Sequence, residues 1–541
     1  MKRRQVIQGG GLALGGLLLP WPTIPASTVD IESRESRFNK RRLAETALLN
    51  AKQLKATYCD IRLGQYFTQS ILTENAEVES ITNTQSLGFG VRVLVNGAWG
   101  FYASNNLTDI GVAEATQKAV AIAKANQFVQ VKPLTWIERK GVGDQVWQTP
   151  IKVDPFSVSL REKLDLLKQA GRRALRAGAT QINANLHLVN EKKYFASSEG
   201  SFIDQDIYRI WAPFELAVQD SKTGKVATRH GLSAPMGMGF EYLQAREQDK
   251  KTHIITHYDR SYDLVADAVA AAKQAKEKLK SPTVKPGQYE LLIDPSLMYL
   301  LIHETIGHTL EMDRILGHEV NTGDNSFVNL SEWQAKQLFI GNPALNLFAD
   351  RSQPGALGSV KYDDEGMRTS VSPLIKKGEI VGFPATREYW GLTGREYMGC
   401  SFADSWANPQ TLRMPNVSLA PNAESLSLDA MIKTVDTGLY MTGSANFSID
   451  RNRDNFQFGS QLCYEIKEGE VVGQVQQAVC QTDTRRFWQN YIHSCDKSDY
   501  RLGGSFYDGK GQPMQLSAVS HGSATSRFSD MSVTQASITG A

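Results

Sequence analysis

Leu301–Asp313 reads Leu-Ile-His-Glu-Thr-Ile-Gly-His-Thr-Leu-Glu-Met-Asp. It sets His303, Glu304 and His308 inside an apolar segment that begins near Leu297. Two imidazoles and a carboxylate are expensive to bury unless something pairs with them, and a metal ion is a common partner. The spacing is His-Glu-x-x-x-His, one residue longer than the zinc-peptidase pattern His-Glu-x-x-His. Positions i and i+4 of an α-helix lie about 40° apart around the axis, whereas i and i+5 lie about 140° apart. A regular helix would therefore not aim both rings at one ion. A one-residue π-type bulge would realign them, and Gly307 is the natural place for the distortion. The competing reading is a buried helix with two core histidines and Glu304 turned to solvent.

The flanks place this stretch in a fold. Gln288–Ile293 reads as a short strand, and Asp294-Pro295 supplies an N-cap with proline at the first helical position. The helix is predicted to run from Pro295 to about Met312. Ser281–Gly287, with two prolines and a glycine, reads as a linker, so the helix opens the second half of the chain.

Upstream, Asn39–Ala56 and Leu107–Ala125 have helical apolar periodicity. A third helix starts at the capping box Ser159-x-x-Glu162, and Asp263–Lys280 forms an Ala-rich fourth. Tyr58–Leu63, Asn185–Asn190 and Ile210–Ala217 read as strands, and Leu87–Tyr102 as a hairpin turning at Asn96-Gly97. His187, His230, His253 and His257 are scattered and form no chemical constellation. Downstream, Ile380–Phe383, Val417–Leu419 and Asn455–Ile466 are β-like. Glu468-Gly469 turns the last of these into Val471–Gln474, and the tail Gly522–Ala541 has room for a final strand.

The fold class expected is α+β in two domains. Residues 39–280 form an N-terminal α+β domain. Residues 281–287 link it to a β-rich C-terminal domain, 288–541, that carries the metal-motif helix.

The 541 residues are 41% hydrophobic and 21% charged, as in a folded soluble protein. Residues 1–26 read as an export signal, with Lys2-Arg3-Arg4 as basic head and Gly9–Leu19 as a short apolar stretch. The paired arginines resemble a twin-arginine signal, which implies folded export to a bacterial periplasm. Residues 27–38 are a linker. Without the signal, which holds three basic and no acidic residues, the net charge falls from +2 to −1. A near-neutral chain argues against nucleic acid as a partner, and the apolar stretch is too short for a stable membrane span. Five cysteines (Cys59, Cys400, Cys463, Cys480 and Cys495) are too sparse for a disulfide scaffold, and their odd number leaves at least one unpaired.

Several motifs in order resemble the TldD/PmbA family of zinc metallopeptidases, in its TldD-like catalytic branch. They are Gly88-Phe89-Gly90-Val91-Arg92-Val93, Asn96-Gly97-Ala98-Trp99-Gly100-Phe101, Asp294-Pro295-Ser296 with His303 to His308, and Tyr362-Asp363-Asp364-Glu365-Gly366. Phe456-x-Phe458, Tyr464 and Gly469 complete the set. The resemblance implies one Zn2+ per chain held by His303 and His308, with Glu304 as the catalytic general base. It implies a third, cysteine ligand in a Cys-x-Lys setting, which Cys495-Asp496-Lys497 matches. Cys463, Glu311 and His318 are the alternatives, and Glu311 and Asp313 are candidates for supporting the ligands. The implied activity is hydrolysis of unfolded or small peptides, in a homodimer or a heterodimer with a sister chain. A thiolate ligand in an exported protein would favour zinc loading in the reducing cytoplasm before folded export. Two other readings share these residues: a non-catalytic peptide-binding subunit, with His493 or Cys463 closing a structural zinc site, and another exported zinc hydrolase such as an amidase.

Overall fold

A computed structural model describes residues 39–130, 132–244, 261–319, 324–390 and 399–536. The export-signal and linker readings of residues 1–38 lie outside the described residues, as do His253 and His257.

The first half builds one mixed sheet flanked by helices. In chain order its elements are α1 (Lys40–Gln53), β1 (Tyr58–Glu74), β2 (Glu77–Val95), β3 (Ala98–Ser104), α2 (Asp109–Asn126) and β4 (Gly143–Gln148). Then come α3 (Leu160–Ala177), β5 (Gln181–Ser197), β6 (Ser201–Trp211), β7 (Phe214–Gln219), β8 (Val226–His230) and α4 (Leu264–Lys278). The sheet order is β3-β2-β1-β5-β6-β4, with β7 beside β5 and β8 beside β7. The Asn96-Gly97 turn is present, with both residues at positive φ, 47° and 79°, as a hairpin of this kind requires. Ser159 caps its helix as expected, and Asp263 caps α4 rather than lying within it, their side chains accepting from the Glu162 and Ala266 amides.

Two differences have local causes. The segment expected as one strand, Ile210–Ala217, is split between β6 and β7 at Ala212-Pro213, where proline offers no amide hydrogen to a ladder. β1 and β2 run far past their apolar ends into a long hairpin rich in Gln, Thr, Ser and Asn. Backbone pairing, running from Tyr58↔Leu94 to Glu74↔Glu77 with one register shift between Leu72 and Thr73, holds that extension without an apolar face to announce it.

The second half contains a seven-stranded sheet built on β9 (Gly287–Ile293). From strand Thr437–Ile449 the path runs through β9, Ser526–Gln535, Ala478–Asp483 and Asn455–Lys467, then returns to Thr437–Ile449. Five strands thus close on themselves, which leaves few free edges. Helix α5 (Pro295–Ile302) follows β9 directly and buries Leu297, Met298, Leu301 and Ile302 in the main core. Across it lies a separate hairpin, Arg501–Lys510 with Gln515–Ser523. The approach is close: a Cβ on Gly503 would stand 2.5 Å from Tyr299 Cβ.

The acidic run Tyr362–Gly366 seats the second half on the first. Asp363 accepts from the Glu365, Met367 and Ser401 amides at 2.9–3.1 Å and so shapes the loop. Asp364 then reaches Lys193 of β5 at 3.0 Å, and Glu365 reaches Arg92 of β2 at 3.3 Å.

Candidate metal centre

Asp294 caps α5, its Oδ1 accepting from the Ser296 amide at 2.9 Å. Its Oδ2 accepts from Arg501 at 2.7 Å and from the Tyr440 hydroxyl at 2.9 Å. One buried carboxylate therefore fixes both the start of the motif helix and the start of the strand Arg501–Lys510.

The regular helix ends at Ile302 rather than near Met312, and His303–Gly307 is a π-helical turn. The His308 amide donates to the His303 carbonyl at 3.0 Å, an i to i+5 bond. This wide turn brings the two rings to one side, with centroids 4.6 Å apart and planes at 81°. Thr305 holds the distortion by donating to the Leu301 carbonyl and accepting from Trp488 Nε1. Gly307 packs tightly on Met414, since a Cβ would lie 2.3 Å from Met414 Sδ and would have to push that side chain aside. A short helix, Met312–Ile315, follows the break.

His303, His308 and Asp508 each turn one potential ligand atom inward, all within 4.8 Å of one another. Asp508 Oδ1 lies 3.4 Å from His303 Nε2 and 3.3 Å from His308 Nε2. The tautomers follow from the outer partners. The Val417 carbonyl can only accept, so His521 Nδ1 carries a proton toward it at 3.0 Å. The Nε2 of that neutral ring then accepts from His303 Nδ1 at 2.9 Å. His308 Nδ1 likewise donates to Glu311 Oε2 at 2.9 Å. When both rings are neutral, their Nε2 lone pairs therefore face the Asp508 oxygen, while Arg413 donates to that residue's Oδ2 at 2.7 Å.

Electrostatics keep the anions charged. Burial alone would raise the Asp508 carboxyl, but His308, Arg413 and His303 hold it well below the usual carboxylate range. Glu311 is also held well down: burial is outweighed by Lys510, Arg314 and His308. Burial disfavours a charged His303, yet the nearby Asp508 carries its pKa upward. Burial pushes His521 well down, consistent with the neutral ring just inferred.

Among the described residues, two imidazole nitrogens and a carboxylate oxygen converge with orienting hydrogen bonds behind each imidazole. That donor set fits a zinc-type ion held by three protein ligands.

Glu304, between the two histidines in sequence, lies outside the converging trio but close enough to His303 to help raise its pKa. Its Oε2 accepts from Arg453 Nη1, and its side chain is 19% exposed. Cys495 is not brought to the histidines. It is buried among Leu292, Met431, Tyr440 and Ile466, its Sγ 3.9 Å from Met431 Sδ, and burial pushes its thiol well up. The other four cysteines are also buried and free. His318 pairs with the Tyr389 hydroxyl, while Glu311 and Asp313 stand behind the site, both taking Lys510 Nζ.

Asp508, Lys510, His521, Arg413 and Arg453 were not singled out in the sequence. A signal for two of them was there. Asp508-Gly509-Lys510 has the x-Lys spacing that the family resemblance implies for the third ligand, with a carboxylate in place of sulfur. Lys510 is buried beside Glu311, whereas Lys497 of the Cys495-Asp496-Lys497 match is exposed.

Comparison with known proteins gives the family. Residues 286–535 match the PmbA/TldA metallopeptidase C-terminal domain, and residues 59–123 match the PmbA/TldA metallopeptidase domain 1. The chain belongs to the TldD/PmbA family of metallopeptidases. It is 25% identical to a metalloprotease of Methanocaldococcus jannaschii, over 76% of this chain and 84% of that one. It is 22% identical to a protein of Saccharolobus solfataricus named as a zinc metalloprotease TldD homolog, over 86% and 95% of the two chains. The crystal structure of TldE from Thermococcus kodakarensis shares the fold, with a TM-score of 0.65 at 14% identity, covering 91% of this chain and 99% of that one.

Proposed function

We propose that this family member hydrolyses peptide bonds with one divalent metal ion, zinc by preference, held by His303, His308 and Asp508, and with Glu304 as general base. The observation that carries the reading is the convergence of three buried acceptor atoms, two of them imidazole nitrogens whose proton-bearing partners are already engaged. When bound, such an ion supplies Lewis acidity to a water and to the peptide carbonyl. His521 and Glu311 hold the two imidazoles in the ligating tautomer, and Arg413 fixes the Asp508 carboxylate. Glu304 takes the proton of the attacking water and returns it to the leaving amine. Three protein ligands are the complement of a catalytic zinc site, whose fourth position takes water.

The carboxylate at the third position bears on where the protein works. A thiol ligand would need shelter from oxidants, whereas two imidazoles and a carboxylate do not. Loading before export therefore loses its rationale, although the paired arginines still support export to a periplasm. Unfolded or small peptides remain the substrate class that the family likeness supports, and assembly with a second copy or a TldE-like sister chain is the partnership we infer. No described helix is long and apolar enough to cross a membrane.

Metal analysis and cleavage of an unstructured peptide test the reading together. His303→Ala is expected to lose the metal. Glu304→Gln is expected to keep it while cleavage falls about 10²–10⁴-fold. Undiminished cleavage by metal-loaded Glu304→Gln removes the peptidase assignment.

A further inference from the structure

Arg453 lies in a turn between strands Thr437–Ile449 and Asn455–Lys467 at φ 61°, a conformation uncommon for a residue with a side chain. The turn is built to hold it there. Asp450 accepts from the Asp454 and Asn455 amides at 2.9 and 3.1 Å, and its carbonyl accepts from the Arg453 amide at 3.1 Å. Thr484 donates to the Arg453 carbonyl at 2.7 Å.

The guanidinium that this turn projects has two anionic partners. Nη1 donates to Glu304 Oε2, and Nη2 to Asp324 Oδ1 at 3.1 Å. Asp324 also pairs with Arg314 at 2.9 Å, Arg314 donates to Glu311 at 2.7 Å, and Glu311 accepts from His308. Alternating charges thus run from the general base to a metal-ligand ring. Arg453 is 9% exposed, and its buried Nε has no partner among the described residues.

The contact places a cation, fixed by its turn, directly beside the general base, where charge moves during hydrolysis. As water adds to the carbonyl carbon, the water's O–H bond breaks and its proton goes to Glu304. A C–O bond forms, and the carbonyl π pair moves onto oxygen. The negative charge leaves Glu304 and appears on the substrate, beside a guanidinium already fixed in place, which is the arrangement that stabilises an oxyanion most.

We propose that Arg453 is the anion-binding residue of the substrate site, taking a negatively charged peptide oxygen: the tetrahedral oxyanion or the C-terminal carboxylate of a short peptide. The inference rests on the peptidase reading and deepens it.

The test uses full-length, metal-loaded protein with Arg453→Met and Arg453→Lys. The probes are a phosphinic peptide, whose tetrahedral anion mimics the addition state, and one cleavable peptide as free acid and as C-terminal amide. Calorimetric affinity for the phosphinic peptide is expected to fall about 10²-fold in Arg453→Met with metal content unchanged, and to recover in part in Arg453→Lys. If kcat falls for acid and amide alike, the oxyanion is the ligand. If the loss is in KM and confined to the free acid, the carboxylate is. Should Arg453→Met not fold, Arg453→Lys alone must still weaken phosphinic binding at least about tenfold, because a point charge does not reproduce the guanidinium fork. Wild-type affinity and kinetics in the metal-loaded variants overturn the proposal. That result is separate from failure of the peptidase reading, which shows first as absent metal or as cleavage surviving Glu304→Gln.

Discussion

Two buried polar clusters occupy this molecule, and they are built on opposite rules. Where the acidic run meets the first sheet, Arg62, Arg92, Lys193 and Arg209 interleave with Asp60, Glu191, Asp364 and Glu365. Four cations meet four anions, and each charge has an opposite partner within 3.8 Å. At the motif helix, by contrast, three acceptors face one another: two imidazole lone pairs and a carboxylate oxygen. Both clusters are buried, and burial alone does not separate them. The first satisfies itself and holds two halves of a chain in register. The second draws one cation from the chain, Arg413 on the outer oxygen of Asp508, and leaves the inner oxygen facing the two imidazoles, a donor set that suits a bound cation.

The sharpest way to break this contrast is to remove the carboxylate. Asp508→Ala should abolish metal binding at micromolar metal and bring peptide cleavage to background. Asp508→Cys should restore metal but leave the centre open to peroxide, which the wild type resists. Full metal occupancy in Asp508→Ala would show that the convergence of acceptors has been misread.

The self-satisfied cluster should fail differently, by unfolding rather than by losing a ligand. Burial would raise Glu191, but Lys193 and Arg209 outweigh it and hold its carboxyl at about 2. A carboxyl depressed in the folded state contributes stability above its unfolded pKa of about 4.3. That contribution is lost as pH falls from there toward 2. Glu191→Gln leaves two buried cations short of an anion and should cost on the order of 3 kcal/mol at pH 7. The difference from wild type should shrink on acidification through this window, as read from urea midpoints. The metal content of the folded fraction should not change. A difference that is constant from pH 7 to 3 would sink this account.

How much of this was legible from residues depends on whether a feature is local. The i to i+5 spacing of His303 and His308, with Gly307 beside them, called for a π turn, and the turn is there because helix geometry depends on neighbours in sequence. The Asn96-Gly97 turn and the Asp294-Pro295 cap were readable for the same reason. The long β1–β2 extension was not, because Gln, Thr and Asn side chains carry no alternating apolar signal and only the opposing backbone fixes them. The partners from outside the motif were harder still. His521 and Arg453 reach it from strands and turns about 150 to 220 residues later, and no local pattern records such a meeting. Asp508 shares the x-Lys spacing, but an expected thiolate ligand points to Cys495 instead.

Cys495 supplies the smallest expected effect and the most direct check on that contrast. Its thiol packs against Met431 in an apolar pocket and is held protonated by burial, the condition of an inert core cysteine. Cys495→Ala should therefore leave metal stoichiometry, metal affinity and peptide cleavage as in wild type, and cost about 1 kcal/mol through the lost packing of one sulfur atom. Thiol-alkylating reagents should not inactivate the folded protein, since all five thiols are buried and none stands at the acceptor cluster. A Cys495→Ala protein that folds yet binds no metal would return the third ligand to sulfur, and Asp508 would then belong with the self-satisfied ion pairs through its bond to Arg413.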